Sequence, residues 1–136
     1  MRNPFRPGDQ KVYAVTVDEG RLARFDAGLV HPVYATFALA KDVEWAGRLF
    51  VLEMKEEGEE GIGTALSIEH VSPAPLGASV SITATLIAVE GNRIEVGFEA
   101  HVGERLIARG TTGQKIVHKQ RMDALIDQLN SSLNRQ

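Results

Sequence analysis

The chain has 136 residues, 43% of them apolar and 24% charged, enough for one domain and one core and too few for a second domain. Its net charge of -3 and pI near 5.8 give no general attraction to nucleic acid or to an anionic membrane surface. The absence of cysteine excludes disulfides, thiolate nucleophiles and cysteine-held metals.

Residues 1–10, MRNPFRPGDQ, contain no apolar run of the secretory kind, and no stretch of the chain reaches the ~18 apolar residues of a membrane span. A cytoplasmic protein is expected. KVYAVTV (11–17) alternates and predicts a first strand. Residues 18–32 lack clean periodicity and read as a loop or short helical segment. Pro32 marks the entry to a long helix beginning VYATFALAKDVEWAGRLF (33–50), which reads as apolar on nearly every side and therefore in need of cover on every side. EEGEEGIG (56–63) ends that helix in an acidic, solvated turn.

The rest reads mainly as β. Ile62, Thr64, Leu66, Ile68 and His70 fall at alternate positions and define an inward face, and VSPAPLG (71–77) then breaks the run. Val80, Ile82, Ala84, Leu86 and Ala88 alternate on the next strand, and Ile94, Val96, Phe98, Ala100 and Val102 on the one after it. A hairpin turn at EGNR (90–93) joins them, with Gly91-Asn92 able to take positive φ. A last strand, 105–118, contains Gly110 and Gly113 and is expected to bend or bulge. Met122, Leu125, Ile126, Leu129 and Leu133 have the spacing of an amphipathic C-terminal helix. The pattern predicts a single α+β domain over 1–136, with one central helix, four long strands in a meander and a surface helix.

Three polar residues stand out. Thr36 and Glu44 lie eight residues apart, about two turns and ~12 Å of helix rise, and about 80° apart around the axis, so both can face one cleft. His70 ends the predicted inward face. Each also has a plainer reading: Thr36 as a helix cap, Glu44 as the ion-pair partner of Lys41 or Arg48, and His70 as a core or rim residue. Tyr34, Phe37 and Trp45 read equally as core. The four histidines show no metal-ligand spacing, and no phosphate-binding glycine loop is present.

VYATFALAKDVEWAGR, GIGTALSIEHVSPAPLG and VEGNRIEVGFEAHV, in that order, resemble the fluoroacetyl-CoA thioesterase-type branch of the hot-dog thioesterases over about 33–117. The resemblance implies a hot-dog fold, an antiparallel sheet wrapped around the helix. It also implies hydrolysis of an acyl-CoA, with Thr36, Glu44 and His70 as the catalytic set and Gly63, Thr64, Phe37 and Trp45 against the substrate. It further implies a site at the interface of a homodimer, or of a dimer of dimers. No cofactor is expected beyond the CoA carried by the substrate, and no metal, nucleic acid or membrane partner. Lys115, Lys119 and Arg121 are candidate contacts for the CoA portion. The chain departs from the branch in two places: residues 18–32 are shorter than the family's phenylalanine-bearing lid, and Gln114 stands where the last strand carries an arginine.

The chemistry suits these residue types. A thiolate is a comparatively good leaving group, so thioester hydrolysis needs chiefly an activated oxygen and a stabilised oxyanion. A carboxylate desolvated in an apolar cleft is a stronger base, the role open to Glu44 beside Trp45. Two other readings stay open. Asp26 and His31 have the spacing of a hot-dog 2-enoyl-CoA hydratase motif, with AGLV in place of its Asn-Pro. A hot-dog module that binds an acyl-thioester without turnover is the other.

Overall fold

The computed structural model describes residues 1–134. The elements are β1 (Gln10–Thr16), a 3-10 turn (Glu19–Arg21), β2 (Leu22–Phe25), β3 (Gly28–Tyr34), α1 (Thr36–Met54), β4 (Glu59–His70), β5 (Ser79–Glu90), β6 (Arg93–Val102), β7 (Arg105–His118) and α2 (Lys119–Leu133). Five strands form one antiparallel sheet in the order β1-β5-β6-β7-β4, and β2 and β3 form a separate hairpin.

Helix α1 lies against one face of the sheet and touches β1, β4, β5, β6 and β7. It buries Ala38, Leu39, Asp42, Val43, Ala46, Gly47, Phe50, Val51 and Met54, a stripe at i, i+3, i+4 spacing. The sheet contributes Val80, Ile82, Ala84 and Leu86 from β5 and Ile94, Val96, Phe98 and Ala100 from β6, all buried. The alternation read from these two strands holds as far as a bulge between Leu86 and Ala88; beyond it Ala88, expected inward, pairs with the outward Glu95, and Val89 pairs with the inward Ile94.

Several expectations are corrected. The helix is not covered all round: Phe37 is 50% exposed and Trp45 41%, and Thr36, Lys41 and Glu44 are exposed beside them. A sheet packed on one side leaves the opposite stripe of the helix open. Residues 18–32 are not a loop. They hold the 3-10 turn, β2 and most of β3, whose pairing is irregular on both sides of Ala23, so no alternation survives in the sequence. The four long strands are not a simple meander either. Strands β5, β6 and β7 follow one another by hairpins, but β4 pairs with β7 at the far edge, so the 71–78 segment crosses from one side of the sheet to the other.

The crossover is pinned where α1 begins. Tyr34 donates its N–H to Ala74 O at 2.8 Å, Leu76 donates to Pro32 O at 3.1 Å, and Val33 bridges Pro75. The C-terminal helix forms as expected, yet Leu125, Ile126, Leu129 and Leu133 all stay exposed. At the β5–β6 turn Gly91 takes φ +61°, whereas Asn92 does not adopt positive φ and donates its side-chain N–H to Ile116 O at 3.0 Å.

The glycines of β7 do not bulge their own strand. The bulge falls on β4 at Thr64, between Gly63 paired with Gln114 and Ala65 paired with Gly113. Gly110 permits a close approach: a Cβ there would stand 1.8 Å from Ser67 O and 2.9 Å from the Phe98 ring. Both neighbours are fixed, one as backbone and one by core packing, so Gly110→Ala is expected to destabilise the fold by about 2–4 kcal/mol, read from the denaturant midpoint.

Candidate active site

The β4 bulge decides which side chains face the helix. Before it, Gly61 and Gly63 pair with the inward Ile116 and Gln114; after it, Leu66, Ile68 and His70 take the helix side. Ile62 and Thr64, expected on the inward face, point to the other side. Thr64 Oγ1 lies 3.1 Å from the position a Cβ would take on the outward Gly113. A period of two carried straight through 62–70 misses the extra residue.

At the end of β4, His70 Nδ1 is 2.9 Å from Thr36 Oγ1. Thr36 is the first residue of α1, and the cap position before it is Ala35, with no side-chain cap bond, so the threonine hydroxyl is not spent on capping. The two residues meet because the crossover that follows His70 is pinned to the chain just before Thr36. They open on a cleft of ≈ 640 Å³ shared with Phe37 and with Ala23, Phe25, Val30 and His31 of the hairpin. Phe25 meets Phe37 edge-on, with ring centroids 5.5 Å apart. Burial lowers the His70 pKa from its ordinary value, with the Ser72 backbone opposing, so the imidazole is neutral at neutral pH. Its Nε2 is buried without a hydrogen-bond partner among the described residues.

Glu44 opens on a different cleft of ≈ 490 Å³, shared with Trp45, Gly63, Arg21, Asp42, Thr112 and Gln114. A Cβ on Gly63 would lie 3.9 Å from Glu44 Oε1, so carboxylate and strand backbone are neighbours. Neither of the ion pairs open to Glu44 in the sequence forms. Arg48 pairs with Glu60 and donates to Gly61 O, and Lys41 makes no ion pair among the described residues. Lys55 and Arg48 together hold the Glu60 carboxyl down at about 2. In a single chain Glu44 is exposed rather than enclosed by apolar groups.

The candidate residues therefore fall into two groups, Thr36, His70 and Phe37 in one cleft and Glu44, Trp45 and Gly63 in the other, with Thr64 in neither. Of the candidate CoA contacts, Lys115 lines an outer groove with Thr64, and Lys119 and Arg121 are exposed on α2. Asp26 sits in the turn of the β2–β3 hairpin, outside the Thr36–His70 cleft, while His31 lines it.

The three comparisons agree on the family. The model described as fluoroacetyl-CoA-specific thioesterase matches residues 17–120. The chain belongs to that family, and so to the thioester hydrolases. A fluoroacetyl-CoA thioesterase from Streptantibioticus cattleyicolor is 33% identical over 96 residues, 71% of this chain and 69% of that protein. A Thermus thermophilus structure described as a thioesterase superfamily member is 36% identical, with a TM-score of 0.92 and 98% of both chains covered. A solved fluoroacetyl-CoA thioesterase is 28% identical, with a TM-score of 0.85 and coverage of 93% of this chain and 98% of that one. The α+β architecture is thus the thioesterase hot-dog fold.

A buried cluster that the sequence did not reveal joins the two clefts in this thioesterase. Asp42, 5% exposed, accepts from Arg21 Nε at 2.8 Å and Nη2 at 3.2 Å and from the Tyr34 hydroxyl. Burial, then the hydrogen bond to Asp42, holds the Tyr34 phenol far above its ordinary pKa. Arg21 O accepts the Ala35 N–H at 2.8 Å, so the cluster clamps the 3-10 turn to the start of α1. Local pattern gave it no signal: Tyr34 ends a strand, Asp42 lies in the helix, and the arginine comes from a segment without periodicity. Asp42→Ala leaves the Tyr34 hydroxyl without its acceptor and takes the buried partner from Arg21, whose Nη1 keeps only its 2.8 Å bond to the exposed Asp18. A loss of about 3 kcal/mol in stability is expected, measured by chemical denaturation.

Proposed function

We propose that the protein hydrolyses a small acyl-CoA at a site made by two copies of the chain, with Thr36 and His70 from one copy facing Glu44 from the other. The observation that carries this is the division of the three residues between two clefts of one chain. Two further features support pairing. The open stripe of α1 carries Phe37 and Trp45, large apolar side chains left half exposed, and β4 is an edge strand with an unpaired side. A two-fold axis brings one copy's Thr36 toward its partner's Glu44 twice, making two equivalent sites.

Within such a site the 2.9 Å contact supports Thr36 as the oxygen that neutral His70 activates. Thr36 Oγ1 attacks the thioester carbonyl, its proton passes to His70, and the CoA thiolate departs and takes that proton. Water, deprotonated by Glu44, then releases the free acid and restores Thr36. The unpaired N–H groups in the first turn of α1 are donors for the developing oxyanion.

Thr36→Ala, Glu44→Ala and His70→Ala should each lower thiol release from acyl-CoA at least about tenfold with the fold intact by circular dichroism. Wild-type rates in these variants would end the assignment. Mixing Glu44→Ala with His70→Ala subunits tests the shared site: a hybrid dimer regains one intact site, roughly a quarter of full activity in a random mixture. No recovery after subunit exchange places all three groups within one chain.

The pH dependence follows from His70. Its folded pKa lies below the ordinary 6.5, so the neutral acceptor form is complete above that pH and is lost as pH falls through the lowered value. The kcat/KM profile, which reports the free enzyme, is expected to fall with a midpoint below 6.5, and His70→Asn should remove that fall. Loss of enoyl absorbance from a 2-enoyl-CoA without thiol release would favour the hydratase reading instead.

A further inference from the structure

The cleft beneath Glu44 has a polar floor that the steps above do not use. Apart from tyrosine, the polar or charged side chains buried among the described residues are Asp42, Thr112 and Gln114, and all three line this cleft. Asp42 is fully engaged by Arg21 and Tyr34. Thr112, 2% exposed, is not engaged: its Oγ1 is buried with no hydrogen-bond partner among the described residues. A hydroxyl left in that state costs free energy unless something else satisfies it.

Three glycines let the backbones of α1 and β4 come close to Thr112 and Gln114. A Cβ on Gly47 of α1 would stand 2.5 Å from Thr112 Oγ1 and 3.4 Å from Gln114 Nε2. One on Gly61 would stand 2.5 Å from Val51 Cγ1 and 3.4 Å from Gln114 Oε1, and one on Gly63, the cross-strand partner of Gln114, would stand 3.9 Å from Glu44 Oε1. The narrow slot between helix and edge strand thus has Glu44, the Gln114 amide and the Thr112 hydroxyl in its lining. Its two arginines are already paired, Arg21 with Asp42 and Arg48 with Glu60, so neither is free to hold an anionic substituent beside the Glu44 carboxylate. Lys41 is exposed at the rim.

We propose that this slot is the acyl subsite and that it selects short acyl groups carrying a neutral hydrogen-bonding substituent, such as a hydroxyl, on the first or second carbon beyond the thioester carbonyl. This deepens the thioesterase reading and rests on Glu44 acting at the carbonyl. Paired β residues stand about 5 Å apart, so a carbonyl beside Gly63 brings such a substituent within reach of Gln114. An alkyl chain of equal size would offer the Thr112 hydroxyl and the Gln114 amide no hydrogen bond. Sites built to bond a substrate hydroxyl discriminate strongly against analogues that lack it.

The test compares isosteric substrates within one enzyme preparation, glycolyl-CoA against propionyl-CoA and 3-hydroxypropionyl-CoA against butyryl-CoA, each scored by kcat/KM for thiol release. The hydroxylated member should win by about tenfold or more in at least one pair. Thr112→Val and Gln114→Leu, which keep the approximate volume, should bring that ratio to near 1. Each ratio is taken on the same protein sample, so a partly unfolded variant still reports. Equal or better turnover of the alkyl member in both pairs overturns the subsite, as do ratios unchanged in both variants. Absence of thiol release from every acyl-CoA tested is a different result, and overturns the thioesterase reading itself.

Discussion

Asp42 is the charge on which the arrangement turns. A carboxylate this deeply buried is tolerable because an arginine fork and a phenol satisfy it together. The three partners come from three segments: the 3-10 turn, the last residue of β3 and the second turn of α1. Their union sets the hairpin against the helix start. The crossover, bonded to Tyr34 and Pro32, then brings the end of β4 to the same point. The Thr36–His70 contact is a consequence of that convergence.

The same helix serves two purposes on two faces. Its small and aliphatic residues, Ala38, Ala46 and Gly47 among them, allow it to lie close on the sheet. Its other stripe carries Thr36, Phe37, Lys41, Glu44 and Trp45, none of which the chain covers for itself. A helix with one side closed and the other bearing both aromatic surface and a free carboxylate is suited to completion by another surface. Mean hydropathy and apolar count do not distinguish this from a helix buried all round, since Trp, Phe and Leu contribute equally in either place.

The β4 strand shows how a single extra residue redistributes side chains between two faces. Its bulge at Thr64 turns Gly63 toward Glu44 and leaves His70, seven residues on, also facing the helix. Without the bulge, residues an odd number apart would lie on opposite faces. Glycine on the near side and histidine on the far side thereby both address α1. Thr64, the extra residue itself, faces the outer groove.

The sequence by itself determined the α+β class, the long helix, strands β5 to β7, the inward residues of β5 as far as Leu86 and those of β6 as far as Ala100, and the C-terminal helix. In each, a regular period of two or 3.6 runs long enough to be read. It also held the family resemblance, through short stretches around Thr36, Glu44, His70 and Gly63. Tertiary structure alone decided the rest: the hairpin within 18–34, the place of β4 at the sheet edge, the inward turn of Gly63 and the outward turn of Thr64. It also decided that Asp42 is buried on Arg21 and that Glu44 is left free of Lys41 and Arg48. The reason is that these features depend on pairings between distant segments and on one inserted residue. Local periodicity records which face a residue shares with its neighbours along the chain, and carries no information about which distant segment meets that face.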